Sequence, residues 1–166
     1  MVDYEAVRRV VAAALKNYVN CPVIRSNQNT EPPDYPYISY TITTLEKSTG
    51  GTYCIAKDGT RYKDVTQYWS ITALSDNSSE SVTIALKAKE YFSLVGNVHL
   101  SDNGVVVKET TDITNRDNLI TTEYEYRNGF DVVLRLTDVI DAETANGGAG
   151  YIETVEIDNE TITRRV

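Results

Sequence analysis

Apolar residues near the start of the chain recur with the period of an amphipathic helix. From Asp3 to about Tyr18 they fall three or four residues apart, which places them in one stripe on a helix surface. The stripe consists of Val7, Val10, Val11, Ala14, Leu15 and Tyr18. Asp3 can cap the free amides, and Asp3 and Glu5 carry the charge that the positive end of a helix dipole favours. The pattern predicts a helix over this stretch.

Stretches rich in β-branched and aromatic residues predict two strands, Tyr37 to Leu45 and Gln67 to Ser75. Between them, Thr52 to Ala56 and Arg61 to Val65 lie on either side of the turn-forming pair Asp58-Gly59. A glycine turn between two such stretches is typical of a hairpin. We therefore expect a short, exposed hairpin here.

A second helix is predicted to begin after Asp76 and to end near Gly96. Asn77 and Glu80 have the spacing of a capping box at its start. Its predicted apolar face consists of Val82, Ala85, Leu86 and Phe92. A weak strand is expected from Val105 to Lys108.

The stretch Glu123 to Leu136 alternates apolar and polar residues on both sides of Asn128-Gly129. Asn-Gly between alternating stretches is a strong hairpin signal. One long strand bent at a glycine would give the same pattern. Both interpretations stay open from the sequence.

The end of the chain predicts an extended β arm. Residues 146–150 are rich in glycine, and 151–166 regain a β pattern with a turn at Asp158-Asn159. Helices and strands alternate too little for a doubly wound parallel sheet. We predict an α+β fold with an antiparallel or mixed sheet and two main helices on one face. Residues 1–145 would form this single domain, and 146–166 a glycine hinge and arm.

The net charge of −8 is confined to the last third of the chain. Residues 1–108 hold 11 basic and 11 acidic residues, whereas 109–166 hold 5 and 13, which gives 5 − 13 = −8. Such a surface repels nucleic-acid phosphates and anionic lipids. We therefore expect neither tight nucleic-acid binding nor a membrane partner.

The sequence contains no recognisable catalytic motif. His99 is the only histidine, and the chain has no GxSxG, HExxH, phosphate loop or calcium loop. Cys21 and Cys54 are too few and too far apart for a disulfide framework or a zinc site. The start lacks the basic and apolar regions of a signal peptide. We expect no enzyme activity and no cofactor.

Several phrases together resemble the phage neck, or tail-terminator, family. They are PPDYPYISYTI, QYWSITALSD, the Ala- and Lys-rich helix that follows, NRD, EYEYRNGFDVVLR and GYIETVEI. The resemblance extends roughly from Asp3 to Ile157 and contains no catalytic motif. It implies a virion protein, assembled in the host cytoplasm, that forms a hexameric ring on the head-proximal end of the tail tube.

The resemblance also implies the partners. They are other copies of the chain, the tail tube protein, a sheath protein where the tail has one, and the head connector, with DNA passing through the ring. Interfaces favour aromatic anchors and arginine, and extended strands link subunits well. The predicted contact residues are Tyr124, Tyr126, Arg127, Phe130, Arg135, Asp58, Gly59, Tyr151, Ile152, Val155 and Ile157.

Three other functions remain open at this point. A head-completion or connector protein would form a ring of twelve copies. An intracellular binding module would hold a small ligand between sheet and helices. A hydrolase that uses carboxylates alone would need two acids at a set distance, which a sequence does not reveal.

Overall fold

The computed structural model describes residues 2–48, 50, 52–120, 123–145, 154–157 and 160–163. The chain forms two compact units. The larger unit comprises residues 2–51 and 64–137, and the smaller one comprises 52–63 together with the residues from 138 onward. The predicted boundary at residue 145 stays a prediction.

The fold combines helices with a mixed sheet, as predicted. The helices are α1 (Tyr4–Val19), α2 (Ser78–Glu90), α3 (Asn97–Asp102) and α4 (Ala142–Ala145). The strands are β1 (Val23–Arg25), β2 (Tyr37–Ser48), β3 (Cys54–Ile55), β4 (Arg61–Ser75), β5 (Val105–Thr110), β6 (Thr114–Asn115), β7 (Asn118–Ile120), β8 (Glu123–Ile140), β9 (Thr154–Ile157) and β10 (Glu160–Thr163). The short helices α3 and α4 were not predicted.

The main sheet has the strand order β1-β2-β4-β8-β5. β1 runs parallel to β2, whereas β2 with β4 and β5 with β8 pair antiparallel. β6 and β7 also pair with β8, beyond the point where β5 ends. The separate hairpin of β9 and β10 forms a second, two-stranded sheet.

The structure confirms the first predicted helix, and the ends of α1 lie within one residue of the predicted ones. The Asp3 side chain accepts a hydrogen bond from the Ala6 amide at 2.9 Å, so the helix begins where the cap was expected. It ends at Asn20, whose φ of 60° is left-handed. Val11 and Leu15 of the predicted stripe are buried. Its apolar stripe thus covers the sheet.

Helix α2 begins at the predicted cap but turns a different face to the sheet. The Asn77 side chain accepts hydrogen bonds from the Ser79 and Glu80 amides. The buried residues of α2 are Ser81, Ile84, Ala85 and Ala88, whereas Val82 and Leu86 are 39% and 56% exposed. Small side chains let the helix approach the sheet closely, and the Ser81 hydroxyl donates to the Ala73 carbonyl at 3.1 Å. The predicted face was therefore wrong at Val82 and Leu86.

A π-helical segment follows α2 at Tyr91–Val95 and extends the helical layer. It buries Tyr91 and Phe92, and the Phe92 ring meets the Phe130 ring edge-on at 6.2 Å. Gly96 lies against the Tyr91 ring, where a Cβ atom would come within 2.4 Å of Cζ. The segment therefore needs glycine at its end.

The stretch around Asn128-Gly129 is one strand and not a hairpin. β8 runs unbroken through both residues, and they pair with Asn115 and Thr114 of β6. Gly129 has a different role from a turn glycine, because its backbone lies close to β4. The long-strand interpretation is therefore the correct one.

The hairpin predicted around Asp58-Gly59 is confirmed within the smaller unit. Cys54 pairs with Tyr62, and the Gly59 amide donates to the Ala56 carbonyl at 3.0 Å. Gly59 has a φ of 86°, which favours glycine. The strand after the turn continues without a break, so the two strands predicted between Arg61 and Ser75 are one.

Candidate interface surface

The larger unit has a second sheet face that is lined by polar side chains. Trp69, Ile71 and Ala73 of β4 point into the core, so Ser70 and Thr72 between them point the other way. Ser39 of β2, Asp131 of β8 and the Arg116 side chain reach the same side. We call Ser39, Ser70, Thr72, Arg116 and Asp131 the polar sheet face.

Arg116 is the centre of this face. Its Nη1 atom donates to the Ser70 hydroxyl at 2.8 Å and to the Thr72 hydroxyl at 3.1 Å, and Nη2 donates to Asp131 Oδ1 at 3.1 Å. Ser70 also donates to Asp131 Oδ1 at 2.7 Å. Nε reaches the Thr114 hydroxyl at 3.3 Å. A planar guanidinium suits this arrangement because its donors are fixed relative to one another.

The backbone around Arg116 is fixed by its neighbours in sequence. The Arg116 amide donates to the Arg127 carbonyl at 2.7 Å, and the Arg127 amide donates to Asp117 Oδ1 at 2.7 Å. Asn115 Nδ2 also donates a hydrogen bond to Asp117 Oδ2 at 2.7 Å. Asn115, Arg116 and Asp117 therefore form a tight connection between β6 and β7, and this connection directs the Arg116 side chain across the sheet.

A second polar cluster lies around Glu125. Its carboxylate is 6% exposed and is paired with the Arg127 guanidinium. The Tyr35 hydroxyl donates to Glu125 Oε1 at 2.5 Å, and the Tyr35 ring stacks on Tyr37 with centroids 5.6 Å apart. A buried carboxylate needs such partners to offset its lost hydration. The cluster therefore ties the proline-rich loop before β2 to β8.

Burial raises the pKa of the Tyr35 phenol, and the hydrogen bond that the phenol donates to the Glu125 carboxylate raises it further. The folded protein then keeps this proton at a pH where the unfolded chain has lost it. Stability from this group is present below the ordinary tyrosine pKa of about 10 and is lost as the pH rises above it. We expect Tyr35→Phe to make the melting temperature fall less steeply above about pH 10.

Scans of melting temperature against pH check this expectation. Tyr62→Phe, at an exposed tyrosine of β4, is the matched control and should leave the alkaline slope as it is. Equal slopes for the wild type and Tyr35→Phe would contradict the expectation.

An open cavity of about 390 Å³ lies on this side of the larger unit. Arg116 and Arg127 form part of its wall, together with hydroxyl-bearing residues of the loop and strands. The latter are Ser26, Thr30, Tyr37, Ser39 and Thr72. These side chains can donate hydrogen bonds to a bound protein and fix its orientation. Such groups are typical of a protein contact surface. The described residues contain no group of three potential metal ligands.

The structure brings two of the predicted contact residues, Tyr126 and Arg127, to neighbouring places on β8, both half-buried. Arg135 is 51% exposed and lies 3.9 Å from Asp64, a weak surface pair. Asp58 is exposed in its turn, and Gly59 is buried. The role of each of these residues in contacts stays a prediction.

Phe130 requires a correction. It was predicted among the contact residues, but its side chain is 0% exposed and belongs to the core that α2 covers. Alternation along β8 explains the difference, since Phe130, Val132 and Leu134 all point to the helix side.

For some predicted contact residues the structure describes only the backbone, and for others it describes nothing. Tyr151 and Ile152 lie outside the described residues. Val155 and Ile157 lie on β9, where their backbones pair with Ile162 and Glu160. The backbone of Tyr124 pairs with Leu119.

The sequence did not identify Ser70, Thr72, Asp131 and Glu125 as members of a site. One signal was present, since Ser70 and Thr72 interrupt an otherwise apolar strand at alternate positions. Arg116 was noticed only as part of the phrase NRD. Its partners Ser70, Thr72 and Asp131 lie 15 to 46 residues away in sequence, and such pairing becomes visible only in the folded chain.

Comparison with known proteins adds one match. The family model described as phage neck terminator protein matches residues 4–165. No curated protein is similar enough to the chain to match it. None of the helices in the described ranges is long and apolar enough to cross a membrane.

Proposed function

Because this chain belongs to the phage neck terminator family, a family of structural proteins, we propose that six copies form a ring on the tail. The ring caps the head-proximal end of the tail tube, stops tube polymerisation and docks to the head connector. The family match over almost the whole chain is the observation that carries this proposal.

The charges suit a ring through which DNA passes. Six copies with a formal charge of −8 each would give the ring about −48. If the acidic residues after Lys108 line the channel, they repel the phosphate backbone and prevent DNA from adhering. A ring with these acids on its outer rim, and Arg and Lys inside, would contradict this part of the proposal.

The polar sheet face and its neighbours suit contact with a protein partner. Arg127 and Tyr126 offer the side chains that interfaces favour. The Arg116 network holds its side of the sheet in one arrangement, and a rigid surface loses little entropy on binding. Partners of the ring are the tail tube protein, a sheath protein where the tail has one, and the head connector. Assembly would take place in the host cytoplasm, and the product is part of the virion.

Native mass spectrometry of the full chain tests the ring. One chain has a mass of 18.5 kDa, so a hexamer should appear near six times that value. Twelve copies would favour a head-completion or connector protein. A monomer that carries a small molecule would favour a ligand-binding module.

A polymerisation assay tests the cap. Tail tube protein that polymerises without limit should stop growing when the purified chain is added, and tube lengths in electron micrographs should shorten with its concentration. A heat-denatured sample is the control. Unchanged tube lengths would contradict the capping role.

A further inference from the structure

Strand β5 is an edge of the main sheet. It ends the strand order, and β8 is its only partner in the described part of the chain. An edge strand presents a row of free backbone amides and carbonyls that can pair with another strand. Val105, Val106 and Val107 form a regular stretch of this edge, before the register shifts between Val107 and Glu109.

A groove of about 360 Å³ follows this edge. Val98, Ser101 and Asp102 of α3 form one wall, and Val106 and Val107 of β5 form the other. Successive residues of a strand point to opposite faces of the sheet. Because both valines line the groove, it lies beside the backbone of β5 rather than on one face.

Exposed aliphatic residues lie in the helical wall of the groove and just before it. Val98 is 72% exposed, and Leu94 and Val95 just before α3 are 70% and 49% exposed. The Ser93 hydroxyl lies 3.2 Å from the Thr110 hydroxyl, so this helical stretch runs alongside β5 from one end to the other. A free strand edge next to a helix with exposed aliphatic residues is the layout that binds an extended strand.

The C-terminal hairpin has the matching properties. Within the described part of the chain, β9 and β10 pair with each other and with no other strand, and an isolated two-stranded hairpin is marginally stable in water. Aliphatic residues recur at alternate positions, with Val155 opposite Ile162 in the register. Each strand of this hairpin therefore still has one edge for a further partner.

The charge at the start of β10 favours one direction of pairing. β10 begins with Glu160, and the sequence after it continues with Arg164 and Arg165. On β5, Lys108 is exposed towards the end of the strand, and Asp102 lines the groove at its beginning. An antiparallel β10 would begin beside Lys108, with Glu160, and would run towards Asp102 at the other end of the groove.

We propose that the groove between α3 and β5 binds β10 of a second copy, which adds to the main sheet as an antiparallel strand. This inference rests on the proposed ring, because it names the contact that joins one subunit to the next. It gives each copy one strand to donate and one groove to receive, a heterologous arrangement that can close into a ring.

Crosslinking between two chains that each carry one exposed cysteine tests the contact. Both chains carry C54S, because Cys54 is exposed whereas Cys21 is buried. One chain carries V106C and the other I162C, and the two are co-expressed with different tags and treated with a short bismaleimide. A covalent dimer with both tags is expected. V82C, at an exposed aliphatic residue of α2, replaces V106C in the matched control and should give no dimer above background.

A charge in the groove should abolish the crosslink. Val98→Asp, combined with V106C, is expected to remove the dimer, and Val82→Asp in the same background should keep it. Both residues are exposed, so neither change threatens the core.

The outcomes separate this inference from the proposed ring. A hexamer by native mass spectrometry with no dimer in the crosslinking would overturn the groove contact and leave the ring in place. A third variant that carries C54S, V106C and I162C together and crosslinks only within one chain would also overturn it. A dimer without a ring would support the contact and contradict the hexamer.

Discussion

Replacing Gly129 with alanine is expected to lower the free energy of unfolding by about 3 kcal/mol, because β8 passes β4 too closely for a side chain. A Cβ atom at this position would lie 2.6 Å from the Ile71 carbonyl oxygen and 2.8 Å from both Arg116 Nη1 and Thr72 Oγ1. The nearest of these atoms is backbone, so relief requires that the two strands separate. Urea unfolding followed by fluorescence of Trp69, the only tryptophan and buried at 1% exposure, measures the change.

Gly104→Ala is the matched control for this prediction. Gly104 has a φ of 74°, but nothing lies within 4 Å of its added Cβ. The substitution should therefore cost only the strain of a left-handed backbone, about 1 kcal/mol. Equal losses at the two positions would show that the close approach of β8 to β4 is not the cause.

Replacing Arg116 with methionine is expected to destabilise the larger unit by about 2 kcal/mol. Methionine keeps much of the length but removes every donor, so Ser70, Thr72 and Asp131 lose their shared partner. Asp131 is 48% exposed, and water replaces part of what it loses. The same urea titration measures the loss, and Arg116→Lys should recover only part of it, because an ammonium cannot reach all three partners at once.

Arg135→Met is the control for Arg116. Arg135 also lies on β8's polar side and pairs with an aspartate, but at 3.9 Å and with both side chains about half exposed. Such a surface pair contributes less than about 0.5 kcal/mol. Similar losses for both arginines would mean that the Arg116 network does not stabilise the sheet.

The parts of the fold that rest on local signals were predictable. Asp3 and Asn77 cap their helices as their sequence context indicated. The strand around Tyr37 and the hairpin at Gly59 followed from β-branched content and turn residues. Each of these signals acts over a few residues, which is the range that a sequence pattern reports.

The parts that rest on packing were not predictable. The buried face of α2 is set by Ser81, Ala85 and Ala88, whose small size matters only against a sheet, whereas the sequence drew attention to Val82 and Leu86. The π-helical segment at Tyr91–Val95 gave no signal either. These features depend on how two elements fit together.

The interface prediction shows the same limit on a smaller scale. Arg127 lies in a polar cluster, but Phe130, three residues later, is in the core. Residue type placed both among the predicted contact residues. They point to opposite faces of the sheet because side chains alternate along a continuous strand. The family, in contrast, was identified from the sequence phrases and is confirmed by the match over residues 4–165.

The continuity of β8 has a mechanical consequence. β8 neighbours β4 on one side, and between Glu123 and Leu136 it pairs in turn with β7, β6 and β5 on the other. A force along the strand axis is therefore shared by many interstrand hydrogen bonds at once, in shear, whereas a force across an edge strand breaks them one after another. A hairpin turn at Asn128-Gly129 would have divided that load path in two.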